Sequence, residues 1–263
     1  MKWNIQDHCI EELYLGEKNM IFPWGLETAD SSAFFSLQKG VGYRYKILRE
    51  HIEYTERNRR SCCVVKMMEG KWSLDTEDTI VSETQLRRRA HLTCLESSHF
   101  MDFVMRFRFR KEFFSKAFIE QRQLSHRNTN IYYQYPVNEV TLEGKKQRVS
   151  VKIEDFLCPS SLKPCMYVRD DREEWVVHAR MVPQAWDKEV IKLCNSWAKT
   201  RPLPQAISNI LLAIPWIKRN LWYRGERKPF RNFFMRRLNP QACPITKISQ
   251  GGELIWQLTV NFD

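Results

Sequence analysis

Six histidines and a run of alternating arginines are the residues in this chain best equipped to do chemistry. The histidines are His8, His51, His91, His99, His126 and His178. None belongs to an H-E-x-x-H motif, and no G-x-S-x-G or D-x-D stretch is present, so zinc-protease, hydrolase-elbow and two-metal chemistry lack support. His178 and Arg180 project from one strand face at i and i+2, a spacing that suits a general base beside an anion clamp. His126, in "QLSHRNTN", falls at a strand end or turn. If the sheet encloses a cavity, the candidate catalytic residues are His126, His178, Asp102 and Tyr133. Glycine is scarce at nine residues, which argues against phosphate cradles. The eight cysteines are irregularly spaced with no C-x-x-C, so neither a metal nor a cofactor is expected. Cys158 and Cys165 bracket "CPSSLKPC", a loop that a disulfide could close in an oxidising compartment.

The arginines lie in "FMDFVMRFRFR", residues 100–110. In a strand, Met101, Phe103, Met105, Phe107 and Phe109 share one face, and Asp102, Val104, Arg106, Arg108 and Arg110 share the other. The preceding "QLRRRAHLTC" alternates in the same way, and "ESSH" between them has the character of a hairpin turn. A hairpin in that register sets Leu86, Ala90, Leu92 and Cys94 opposite Phe109, Met105, Phe103 and Met101, and only Arg88, opposite Phe107, breaks the apolar match. The other face then gathers Arg87, Arg89, His91, Arg106, Arg108 and Arg110. Like charges across a strand pair repel by up to about 1 kcal/mol. Such a face needs either acidic neighbours, with Glu112, Glu120, Glu154 and Glu173 available, or an anionic ligand. Together with Arg180 these residues form a candidate anion-binding set, because arginine suits planar bidentate contact with phosphate or carboxylate.

A second basic block spans residues 216–238. It holds Lys218, Arg219, Arg224, Arg227, Lys228, Arg231, Arg236 and Arg237 against Glu226, which is +7 of the chain's net +11. Trp222, Tyr223 and other aromatics are interleaved, a composition that fits single-stranded nucleic acid and, less well, an anionic lipid surface.

The elements that must position these residues follow from periodicity. Residues 60–182 read as successive strands: "RVSVKI" and "WVVHARM" alternate with near-strict period two. Residues 1–58 are mixed, with "IQDHCIEELYL" compatible with a short helix. After Pro183 the spacing turns helical, with Trp186, Val190, Leu193 and Trp197 on one stripe and Ile207, Ile210, Leu211 and Ile214 on another. "GGELIWQLTVNFD" then reads as a closing strand over 253–262. The expected fold is α+β, mainly β: an antiparallel sandwich or curved barrel with C-terminal helices packed on one face or end. One domain over 1–263 is expected, with a β-rich core at 60–182 and a helical, basic-aromatic segment at 184–240. Nothing at the N-terminus resembles a signal peptide and no apolar run is long enough to span a bilayer, so a soluble cytoplasmic chain is expected.

These observations support a non-catalytic protein that binds a polyanion, nucleic acid foremost. The alternative is a small-molecule enzyme whose curved sheet encloses a pocket where Arg and His residues bind an acidic substrate. A third reading is a subunit of a larger assembly. The direction of the arginine side chains discriminates: a shielded site with an apolar wall favours the enzyme, and an open positive stripe favours a polymer.

Overall fold

The computed structural model describes residues 1–6, 9–29, 34–36, 46–67, 70–100, 102–127, 132–184 and 246–263. These form two large antiparallel sheets. The first runs β1 (Lys2–Gln6), β2 (Cys9–Leu15), β4 (Ile21–Ala29), β11 (Asp102–Arg110), β18 (Glu174–Pro183), β17 (Leu162–Asp170) and β14 (Tyr132–Tyr135). β3 (Lys18–Asn19) pairs with β2, and β5 (Phe34–Ser36) with β4. The second runs β13 (Arg122–Ser125), β12 (Lys116–Ile119), β15 (Glu139–Glu143), β16 (Arg148–Leu157), β20 (Glu253–Phe262), β9 (Gln85–Glu96), β8 (Gly70–Ile80), β7 (Asn58–Met67) and β6 (Lys46–Tyr54). A small ladder joins β10 (Ser98–Phe100) to β19 (Thr246–Ile248).

The α+β assignment is corrected by this architecture. Among the described residues the structure is all strand, and no helix packs on a face or end of either sheet. The two helical stripes fall within 185–217, outside the described residues. "IQDHCIEELYL" is strand where described, because Cys9, Ile10 and Leu13 are buried across the edge of the first sheet. The closing strand is present: β20 inserts between β16 and β9, with Leu254, Trp256, Leu258 and Val260 buried.

The interior is where the two sheets face each other. Phe103, Met105, Phe107 and Phe109 of β11 point into it, as do Leu86, Ala90, Leu92 and Cys94 of β9. Ring contacts span the gap: Trp72 of β8 meets Phe103 at 4.8 Å, and Phe109 meets Phe262 of β20 at 6.3 Å. Each fully buried Phe stabilises the fold by about 1.5–3 kcal/mol.

These contacts overturn the expected hairpin. β9 pairs laterally with β8 and β20, and β11 with β4 and β18, so the two strands belong to different sheets. Between them the chain leaves one sheet through β10 and enters the other. The apolar matching is real, but it arises face to face across the sandwich. A period of two aligns inward residues equally well in either arrangement.

Candidate functional site

One row of residues crosses the outer face of the first sheet. Backbone register sets Arg106 of β11 opposite Gly25 of β4 on one side and His178 of β18 on the other. His178 lies opposite Tyr167 of β17, and Tyr167 opposite Gln134 of β14. Adjacent strands are separated by about 4.8 Å, so these side chains are direct neighbours. The imidazole of His178 stacks on the Tyr167 ring with centroids 4.6 Å apart and planes 21° apart. Arg180, two residues along β18, donates from Nη1 to Gln134 Oε1 at 2.6 Å, and its guanidinium lies 6.0 Å from the centre of the Tyr167 ring.

The flanking charges on this face are paired. Arg108 Nε donates to Glu174 Oε2 at 2.6 Å, and Arg169 Nη2 donates to Asp171 Oδ2 at 2.5 Å. Arg110 donates to the Ile21 carbonyl at 3.0 Å and lies 4.3 Å from the centre of the Phe22 ring. A bulge in the β4–β11 pairing, between Arg106 and Arg108, separates the Arg106 row from this cation–ring stack. The wall around the row is apolar: Val104, Cys165, Val176 and Val182 are all buried. β18 is therefore buried on both faces, as strands covered on both sides are.

The electrostatics favour a neutral histidine. Burial first, and then the charges of Arg106, Arg180 and Arg169, push His178 well below the ordinary value of 6.5. Its Nε2 is buried and has no hydrogen-bond partner among the described residues. An unsatisfied buried polar atom costs about 1–3 kcal/mol. Burial also raises the Tyr167 hydroxyl, against the opposing pull of Arg169, Arg180 and Arg106. Chemically, the row offers a neutral proton acceptor beside guanidinium groups, flanked by buried apolar side chains.

The structure divides the residues singled out from sequence. Arg106, Arg108, Arg110 and Arg180 stand on the outer face of the first sheet with His178. Arg87, Arg89 and His91 stand on the outer face of the second, on the far side of the sandwich. There Glu77 is in register with Arg89 and Asp75 with His91, and His91 Nε2 lies 3.2 Å from Glu253 Oε1. Acidic neighbours thus meet the charges on β9, although they are not the glutamates expected from sequence. No single surface gathers the arginines. Tyr133 stacks on Tyr135 at 6.4 Å and packs against the core, and Asp102 opens β11 in register with Ala29. The block from Lys218 to Arg237 lies outside the described residues. Tyr167, Arg169 and Gln134 escaped sequence reasoning, although "MYVRD" alternates with the period that sends Tyr167 and Arg169 to one face.

His126 belongs to another cluster, at one end of the sandwich. Its Nδ1 lies 3.3 Å from Oδ1 of the buried Asp170, which also accepts hydrogen bonds from Lys111 Nζ and from the Arg127 amide. This cluster clasps the end of β13 to β17, joining the two sheets. Arg88 also has an interior role. Its guanidinium binds Asp78, which Arg59 binds as well, and lies 5.6 Å from the centre of the Phe107 ring. A depression lined by Leu15, Glu83, Lys146 and Phe262 lies elsewhere and holds no histidine or cysteine. Among the described residues no group of His, Cys, Asp and Glu is placed to hold a metal ion, Cys158 and Cys165 are not joined by a disulfide, and no helix is long and apolar enough to cross a membrane.

No protein-family profile matches the sequence, and no curated protein matches it. Solved structures do. A protein assigned as an aldose 1-epimerase from Escherichia coli K12 superposes with a TM-score of 0.50 at 7% identity, over 97% of this chain and 92% of that one. A galactose mutarotase-like protein from Lactobacillus casei ATCC 334 gives 0.50 at 8% identity, over 98% and 96%. At such identities the likeness establishes the fold: two antiparallel sheets stacked as in these proteins.

Proposed function

We propose that this chain is a small-molecule enzyme whose site is the Arg106–His178–Tyr167 row, acting by proton transfer on an acidic, sugar-like substrate. The observation that carries this reading is the buried Nε2 of His178, which has no hydrogen-bond partner among the described residues and whose residue is in register with Arg106. In this role His178 is the general base, and Arg106, with Arg180 beside it, contacts the carboxylate or phosphate of the substrate. The apolar surround of Val104, Val176 and Val182 keeps water from competing for both contacts. A fold shared with a protein assigned as an aldose 1-epimerase supports an aldose as the substrate and exchange at the anomeric carbon as the reaction. That exchange removes a proton from one oxygen and returns one to another, which is work for a neutral imidazole. Nucleic acid fits less well, because the arginines that would track its phosphates are split between opposite sides of the sandwich and those nearest His178 lie within an apolar wall.

The test is anomer exchange followed by NMR, with neutral aldoses and with aldoses bearing a carboxylate or phosphate. Acceleration is expected with an acidic aldose. His178→Asn should lower kcat by about 100- to 10,000-fold, and Arg106→Gln should raise KM for the acidic substrates alone. No acceleration with any aldose, together with no binding of acidic small molecules, would overturn the proposal.

A further inference from the structure

We propose that Arg110 and Arg108, packed against the ring of Phe22, form a second binding site, one that takes the phosphate group of a small molecule. This site stands apart from the reaction proposed for the His178 row: a bulge in the β4–β11 pairing separates the two, and they share no residue. Phe22 of β4 lies opposite Arg108 in register. Both arginines reach its ring, the Arg110 guanidinium 4.3 Å and the Arg108 guanidinium 5.4 Å from the ring centre. Each is also tied through Nε, Arg110 to the Ile21 carbonyl at 3.0 Å and Arg108 to Glu174 Oε2 at 2.6 Å.

Those contacts use one nitrogen of each guanidinium and leave its outer edge unused. Nη1 and Nη2 of both arginines make no hydrogen bond among the described residues and, unlike His178 Nε2, are not buried, so they open to solvent. The carboxylates nearby are already engaged. Glu174, in register with Arg110, is bound by Arg108, and Glu12 accepts hydrogen bonds from Asn4 Nδ2 and the Tyr14 hydroxyl. No described carboxylate pairs with Arg110, so positive charge is left over at the ring. A guanidinium already fixed by a ring and a carbonyl loses little further freedom when it binds. A carboxylate can occupy one such fork, whereas a phosphate has oxygens enough for both.

The experiment is an NMR titration read at the arginine side-chain N–H signals, with inorganic phosphate, glycerol phosphate and acetate at fixed ionic strength. The expected result is a saturable shift of the Arg110 Nε–H signal, with either phosphate binding more tightly than acetate. Tighter binding of glycerol phosphate identifies a phosphate monoester as the ligand, and equal binding identifies free phosphate. Arg110→Gln should weaken phosphate binding by at least about tenfold, and Arg110→Lys, which keeps the charge and loses the fork, by at least about threefold. Arg106→Gln should leave it unchanged. No saturable shift, or an affinity unchanged in both Arg110 variants, would overturn the proposal and leave the His178 reading standing. Binding lost in Arg106→Gln and kept in the Arg110 variants would place the phosphate on the His178 row and overturn this site.

Discussion

Asp78→Asn most directly tests the electrostatics of the interior that holds β11 in place. Asp78 is fully buried, and Arg59 and Arg88 are 1% and 4% exposed. Arg88 donates from Nε and Nη2 to the two carboxylate oxygens at 2.6 and 3.1 Å, and Arg59 Nη1 donates at 2.7 Å. Burial alone would raise the Asp78 carboxyl, but the two guanidinium charges outweigh it and hold the group below its usual range. Removing the charge leaves two buried arginines without the carboxylate they share, and breaking a buried pair in this way costs about 3–5 kcal/mol. Arg88→Met is the control. It leaves Arg59 and Asp78 as a one-to-one pair and fills the space beside Trp24 and Phe107, so about 1–2 kcal/mol is expected. With a urea slope of about 3 kcal/mol per molar, Asp78→Asn should lower the midpoint by about 1–1.7 M, and Arg88→Met by no more than about 0.7 M. Tryptophan fluorescence across a urea titration reads both. Equal shifts, or an Asp78→Asn shift below that of Arg88→Met, would refute the reasoning that charge balance, and not the number of hydrogen bonds, governs this cluster.

Two further outcomes are expected. His178 should make stability pH-dependent: because its folded value lies below 6.5, the unfolded chain binds the proton first. Its contribution is therefore fully present above about 6.5 and is lost as pH falls toward the folded value, at up to about 1.4 kcal/mol per pH unit. Urea midpoints above and below that value, compared with those of His178→Phe, should show the slope in the wild type alone. Trp175 and Trp256 should also separate. Trp175 Nε1 donates to the Phe114 carbonyl at 2.8 Å, whereas Trp256 Nε1 is buried without a partner among the described residues. Both changes to Phe leave similar cavities, so Trp175→Phe should be less stable than Trp256→Phe by at least about 1 kcal/mol in a urea titration.

Alternation along the chain located the closing strand and several strands within 60–182, such as β9, β11, β16 and β18, and sorted their inward from outward side chains. β1–β6, β12, β13 and β17 were not read from it. "RVSVKI" placed Val149, Val151 and Ile153 in the core, and all three are buried. "RFRFR" separated the phenylalanines from the arginines correctly. Strand partners were not legible. β9 and β11 satisfy every local criterion of a hairpin, yet they stack across the core. Inward residues of two facing sheets obey the same period as residues paired within one sheet, and only the tertiary arrangement decides between them.

The candidate site shows the same division. Sequence alone determined that His178 and Arg180 share a face of one strand, and that Arg106 alternates with phenylalanines on another. It also determined that the chain is rich in alternating strands and carries excess positive charge. Only the tertiary structure set β11, β18, β17 and β14 side by side, so that Arg106, His178, Tyr167 and Gln134 form one row. It also sent Arg87 and Arg89 to the far side of the sandwich, and it buried Val104, Val176 and Val182 around the histidine. The physical reason is the range of each interaction. Side-chain alternation is a property of adjacent peptide units and is written locally, whereas desolvation and the charges that set a histidine's proton affinity come from strands up to about seventy residues away in the chain.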